Sequence, residues 1–311
     1  MLARRPYLAV VTAVAAASLA IAGCASSSKS GGSSTGAGGG GSSSSNTSAP
    51  ASGSSGSSSS GSATSLVPAA IKGKGALTFA LDATYPPDES VATDGHTIVG
   101  MDADLAKAIA QELGLKANLV NATFDTIIPG LQGGKFDVGM SSFTDTKARE
   151  KIVDFVTYFQ AGEGYYVKAG SGKSFNGLSS LCGHTVAVES GTTEETDAKT
   201  QSGKCKVTVL SFSDQNAANL AVSSGRADVG FADSQVAGYI VKQSNGQFSL
   251  TGTAFEVAPY GIALPKGNGM APAVLAAMKA LIANGSYTKI LTTWGVQAGA
   301  ITNPVINGAT S

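Results

Sequence analysis

Gly134-Lys135-Phe136-Asp137-Val138-Gly139 returns later in the chain as Gly225-Arg226-Ala227-Asp228-Val229-Gly230. Each copy follows a short helical pattern and leads into an apolar run. Outward from the first copy, Leu77–Leu81 reads as a strand. Met101–Leu113 carries Met101, Leu105, Ile109 and Leu113 at helical spacing, with Gly114 just past its end as a stop. Lys116–Val120 is a second strand, Thr126–Gln132 a short helix and Phe136–Met140 a third strand. Outward from the second copy, strands at Thr185–Val188, Val207–Leu210 and Val229–Ala232 alternate with helices at Glu194–Gln201 and Gln215–Ser223. Tyr260–Leu264 adds a strand and Pro272–Asn284 a helix. This order predicts an α/β protein of two similar lobes, each a mostly parallel sheet flanked by helices. Two hinge strands, near Gly164–Val167 and Pro259–Ala263, would join them. The first lobe then takes residues 66–165, the second 166–258, and the chain returns to the first over 259–311.

The N-terminus stands outside this pattern. Arg4 and Arg5 lead into an apolar run from Tyr7 to Ala22, short for a membrane span of about 20 residues. The run closes as Ile21-Ala22-Gly23-Cys24, and Ala25–Ser65 is almost wholly Ser, Gly, Ala and Thr. Such a segment cannot bury enough apolar surface to offset the entropy of ordering, so it is expected to be disordered. As a Gly/Ser coil it would reach roughly 35 Å. A charged start, an apolar stretch and small residues before a cysteine resemble a bacterial lipoprotein lipobox. The resemblance implies a signal peptide over 1–23, acylation of Cys24 and a linker over 24–65. The protein would be lipid-anchored on the extracytoplasmic face of the bacterial cell membrane. No other apolar stretch is long enough to span a bilayer.

With Cys24 assigned to the lipid, Cys182 and Cys205 remain, and the export signal puts them in an oxidising compartment. They are expected to be bridged. Closing that loop contributes roughly 3 kcal/mol in the chain-entropy picture. Basic and acidic residues balance at 21 each, without a Lys/Arg run, which argues against nucleic acid as a partner.

Ligands of open parallel sheets bind beyond the carboxyl ends of the strands. That rule selects Asp82 to Tyr85, then Ser141, Ser142 and Thr144, then Glu189 to Thr193, and Asp233, with Arg149 just downstream. Hydroxyls, acids, an aromatic and one arginine suit a small zwitterion.

The same residues carry a resemblance to the extracellular solute-binding proteins of ABC importers for polar amino acids, which have the type II periplasmic fold. It runs from Leu77 to Gly308. Its stretches are Asp82-Ala83-Thr84-Tyr85-Pro86-Pro87, Val99-Gly100-Met101-Asp102-Ala103-Asp104-Leu105, Ile128-Pro129-Gly130-Leu131, Ser141-Ser142-Phe143-Thr144-Asp145-Thr146-Lys147-Ala148-Arg149 and Ser190-Gly191-Thr192-Thr193. The resemblance implies that Arg149 clamps a ligand carboxylate through paired N–H donors. Thr144 and Thr193 would assist it, and Thr193 opens a helix whose N-terminus favours an anion. Asp233, helped by Ser142, would take the ammonium. Tyr85 and Phe124 would cover the aliphatic part, with Ser141 beside them.

One departure stands out. Asp88-Glu89 follows Pro86-Pro87 where the family usually has an aromatic. These acids either face water or join Asp82 and Glu189 at the side-chain end of the pocket, which would favour a cationic amino acid. The ligand would bridge the two lobes and stabilise the closed form, and a monomer would deliver it to a membrane permease.

Other chemistries fit less well. Gly172-Lys173-Ser174 lacks the glycine that a phosphate loop needs five residues earlier, where Val167 stands. His96 and His184 lack ligand spacing, so no metal is expected. No cofactor is expected, and no Gly-x-Ser-x-Gly elbow marks a hydrolase in the mature domain. The rivals are an exported dehydratase of cyclic amino-acid precursors (cyclohexadienyl dehydratase-like) on the same fold, and a ligand sensor docking on another membrane protein.

Overall fold

The computed structural model describes residues 60–310. The expected signal segment, the lipidated Cys24 and the linker up to residue 59 lie outside the described residues. Two helices, α1 (Ser60–Leu66) and α2 (Ala69–Lys74), come first. Then follow β1 (Ala76–Leu81), β2 (Thr84–Tyr85), β3 (Glu89–Val91), β4 (Ile98–Val99), α3 (Met101–Glu112), β5 (Lys116–Asn121), α4 (Phe124–Gln132), β6 (Val138–Gly139) and α5 (Lys147–Glu150). A long strand β7 (Val153–Lys168) leads to β8 (Thr185–Glu189), α6 (Thr193–Ser202), β9 (Thr208–Phe212), α7 (Gln215–Ser223), β10 (Val229–Asp233) and α8 (Ser234–Gln243). The long strand β11 (Phe248–Pro265) returns the chain to α9 (Ala271–Ala283) and α10 (Ser286–Trp294).

One eight-stranded sheet runs in the order β5-β1-β6-β11-β7-β10-β8-β9. Its two ends are parallel wings, β5-β1-β6 and β10-β8-β9. Between them β11 and β7 run antiparallel. The hinge strands are thus far longer than the apolar runs that marked them, because their ends are not uniformly apolar. The outer half of β11 is largely exposed, and only its last residues are continuously buried.

The sequence echo falls on equivalent strands. Gly134 and Gly225 both take left-handed backbone, at φ 70° and 78°. Asp137 accepts from the Thr78 amide at 2.9 Å, and Asp228 from the Thr185 amide at 2.8 Å. Each aspartate also pairs with a lysine ahead of its wing, Lys74 and Lys173. One local rule therefore sets the start of both wings.

Helix α3 follows its predicted spacing, with Met101, Leu105 and Ile109 fully buried, and Gly114 ends it at φ 72°. Phe79, Leu105, Ile109, Val274 and Leu281 pack on one face of the sheet, and each such side chain is worth about 1.5–3 kcal/mol on burial. Phe124, Phe143, Phe155, Tyr166 and Val236 pack together as a second cluster drawn from both wings. Cys182 and Cys205 are bonded to each other.

Three expectations need correction. The linker was expected to run to residue 65, yet α1 begins at Ser60. Its Ala63 is fully buried, and the Thr64 hydroxyl donates to the Glu112 carbonyl at 3.1 Å. Helix α4 starts at Phe124, which puts that ring in the first helical turn. Helices α8 and α10 and the small sheet β2-β3-β4 had no counterpart in the sequence pattern.

Candidate functional site

Arg149 is placed by the single turn α5, whose N-cap Thr146 accepts from the Arg149 amide at 3.2 Å. Its guanidinium lies 5.4 Å from the Phe124 ring centroid and 5.6 Å from that of Phe143. Those two rings stack with centroids 4.4 Å apart. Nη1 donates to the Thr144 carbonyl and Nη2 to the Gly191 carbonyl, both at 2.8 Å. Two of its five N–H donors are so engaged, which fixes the plane of the group. Burial lowers its pKa, opposed by the charges of Glu194 and Asp233.

A small cavity opens beside it. The wings meet across this cavity: the Thr144 and Thr193 hydroxyls stand 3.4 Å apart, and the Gln215 amide donates to the Thr84 hydroxyl at 3.2 Å. Thr193 begins α6, whose N-cap Thr192 accepts from the Glu195 amide. The free N–H groups of that helix end favour negative charge at this side.

Acids line the rest. Asp233 ends β10, and burial, then the charge of Glu194, raise its pKa well above the usual carboxylate range. Glu189 ends β8 and is 1% exposed. Neither of its carboxylate oxygens has a hydrogen-bond partner among the described residues. Burial, with the Asp82 charge added, pushes its pKa up to about 10. The Tyr85 hydroxyl is likewise buried, beside Glu189 and close enough to act on its proton, and its ring meets Phe124 edge-on at 5.9 Å.

Tyr85, Phe124, Ser142, Thr144, Arg149, Glu189, Thr193 and Asp233 therefore share one cavity wall. Asp82 and Ser141 do not line it. Asp82 spends its carboxylate on the Phe124 amide at 3.0 Å and the Thr84 hydroxyl at 2.6 Å. Ser141 accepts from the Asp82 amide at 2.8 Å and donates to Glu89 at 2.7 Å. Both act from behind the wall.

Asp88 and Glu89 neither face water nor reach the cavity; both are fully buried behind it. Asp88 accepts from the Ser142 hydroxyl at 3.0 Å and from Gln235 Nε2 at 2.8 Å. Burial raises its pKa to about 6, and burial beside Asp88 raises that of Asp102 to about 8.

Sequence reasoning missed Glu194 and Gln215. Glu194 is 3% exposed on the first turn of α6, with Oε1 unpartnered among the described residues, and burial raises its pKa. Its place directly after Thr193 was the available signal. Gln215 begins α7 and donates from Nε2 to the Tyr166 hydroxyl at 3.0 Å. No cluster of three or more metal-ligating side chains occurs among the described residues.

Residues 77–297 match the bacterial extracellular solute-binding proteins, family 3. The arginine-binding protein ArgT of Corynebacterium glutamicum is 33% identical over 250 residues, 78% of this chain and 82% of that protein. An ancestral arginine-binding protein, solved bound to arginine and bound to glutamine, superposes with TM-score 0.68 at 38% identity, covering 71% of this chain and 98% of that one. An ancestral amino acid-binding protein that is a precursor of cyclohexadienyl dehydratase superposes with TM-score 0.66 at 36% identity, covering 72% and 97%. The match over both wings, on a parallel-winged sheet crossed twice by long strands, settles the assignment: the chain belongs to the bacterial extracellular solute-binding proteins, family 3.

Proposed function

We propose that this protein captures a free cationic amino acid between its two wings and delivers it to an ABC importer, tethered to the membrane through acylated Cys24. The carrying observation is the charge layout of one cavity. Arg149 stands on the first wing, Asp233 on the second, and Glu189 is buried with no salt bridge among the described residues. In this reading Arg149, Thr144 and Thr193 hold the ligand carboxylate. Asp233 and Ser142 take the ammonium. Tyr85 and Phe124 sandwich the methylenes, and Glu189 meets the side-chain cation. Asp82 and Ser141 keep their part from behind, by fixing Phe124 and the strand end. A buried acid held neutral by desolvation ionises once a cation arrives, so Glu189 selects for charge rather than size alone.

The named relatives support an amino-acid ligand, and they are binding proteins rather than enzymes. The one linked to a dehydratase is itself described as amino acid-binding, which weakens the enzymatic rival. Delivery to a permease and extracytoplasmic anchoring follow the family and the lipobox.

The test is a thermal melt of residues 25–311, which keep α1, refolded to strip ligand, against the twenty amino acids plus ornithine and citrulline. A ligand at 1,000 times its dissociation constant stabilises by about 4 kcal/mol. The expected result is a shift confined to arginine, lysine and ornithine. A shift with glutamine alone would keep the capture function and discard the cationic preference. No shift at all would discard both.

A further inference from the structure

Gln235 sits in the first turn of α8, on the second wing. Its Nε2 donates to Asp88 Oδ2 at 2.8 Å and to the Tyr260 hydroxyl at 2.5 Å. Asp88 lies in the turn between β2 and β3 on the first wing and is fully buried. The same Oδ2 accepts the Ser142 hydroxyl at 3.0 Å. A hydroxyl has one proton to give. With that proton on Asp88, Ser142 offers only lone pairs to the cavity it lines. Its backbone cannot turn away, because Ser142 sits at φ 50° and its amide donates to Asp102 Oδ2 at 2.9 Å.

We propose that Asp88 and Gln235 form a latch across the cleft that holds the wings closed and fixes Ser142 as an acceptor for the ligand's ammonium. Both are positioning residues, since neither lines the cavity. The latch itself follows from the contact between wings; only its action on the ammonium rests on the amino-acid reading above. Glu89, Asp102, Asp233, Tyr158 and Tyr260 are the titratable groups within electrostatic reach of Asp88.

The experiment has two parts, run on the full chain in detergent. Electron–electron distance measurement between spin labels at Lys107→Cys on α3 and Leu220→Cys on α7 reads the closed fraction without ligand. Gln235→Ala should at least halve that fraction. Calorimetry then compares L-arginine with 5-guanidinopentanoate, which lacks the ammonium. Asp88→Leu also opens the latch and should weaken both ligands, but L-arginine roughly tenfold more than the analogue. A merely structural role would weaken both alike. Gln235→Glu sets two carboxyls against each other, so it should bind L-arginine more weakly than Gln235→Ala at pH 8 and at least as well at pH 5. An unchanged closed fraction in Gln235→Ala overturns the latch, and an unchanged preference between the two ligands in Asp88→Leu overturns the role of Ser142. If the unsubstituted protein ignores L-arginine while Gln235→Ala still opens it, the latch stands and the cationic ligand falls.

Discussion

Arg149 on the first wing donates from Nη2 to the carbonyl of Gly191 on the second, at 2.8 Å. The residue that we assign to the ligand's carboxylate is thus itself part of the contact between the wings. Binding and closure share one side chain.

Arg149→Ala removes that contact together with the charged donors. We expect L-arginine affinity to fall about 100-fold or more, since hydrogen bonds to charged groups are worth about 1.5–3 kcal/mol each. Far-UV circular dichroism should be unchanged, because the aromatic stack of Phe124 and Phe143 is carried by other elements. Titration calorimetry showing micromolar affinity in the variant would remove the clamp.

Acidity should act on the ligand-free protein in an unusual direction. Glu189 has a folded pKa of about 10 against an ordinary value near 4.5, and Glu163 is likewise pushed up to about 10, in both cases chiefly by burial. Between these values the folded chain holds protons that the unfolded chain has released. Stability then falls as pH rises through that window. We expect ligand-free melting temperatures to decline from pH 5 to pH 9. Arginine should release a proton on binding and bind more tightly as pH rises. Glu189→Gln should abolish most of that proton release, read from calorimetry in buffers of different ionisation enthalpy.

The Cys182–Cys205 bridge closes the loop that carries β8 and α6. Gln201 donates to both sulfurs, at 3.4 and 3.3 Å. Cys205→Ser should cost about 3 kcal/mol of stability from loop entropy. Thiol titration of unreduced, unfolded protein should find neither cysteine reactive.

Two glycines should respond oppositely to alanine. A Cβ on Gly230 would stand 2.0 Å from the Tyr166 ring, whereas one on Gly238 in α8 meets nothing within 4 Å. Gly230→Ala should destabilise by about 1–3 kcal/mol, and Gly238→Ala should stabilise by up to about 1 kcal/mol. Urea denaturation reads both.

Cys24→Ser should move the protein from the membrane fraction to the soluble one after cell breakage. Retention in the membrane would exclude the lipobox reading.

Much of the scaffold was legible because it repeats. The pair of Gly-x-x-Asp turns announced two equivalent strands, and each did place its aspartate on an amide at or near the start of the neighbouring strand. Helix α8 was not legible: Val236, Gly238, Ile240 and Val241 are weak helix formers, and the helix stands because Val236, Ala237 and Ile240 are buried. The cavity wall was legible wherever a residue follows a strand end. Asp82 was misplaced because the same position serves equally to tie down the next helix. Asp88 and Glu89 misled for another reason. Adjacent acids after a proline pair suggest a solvated turn, and their actual partners, Ser142, Ser141 and Gln235, are distant in sequence. No local pattern encodes that meeting.

The chain enters the second wing along β7 and leaves it along β11, and Lys168 and Phe248 are register partners where it does so. Everything between them is one uninterrupted segment whose ends are neighbours. Such a segment is a cassette. It carries Glu189, Thr193, Glu194 and Asp233, while Arg149 stays with the remainder. Exchanging this cassette between relatives would carry Glu189, and with it the choice of ligand side chain, together with Thr193 and Asp233, while Arg149 and Thr144 stay in place.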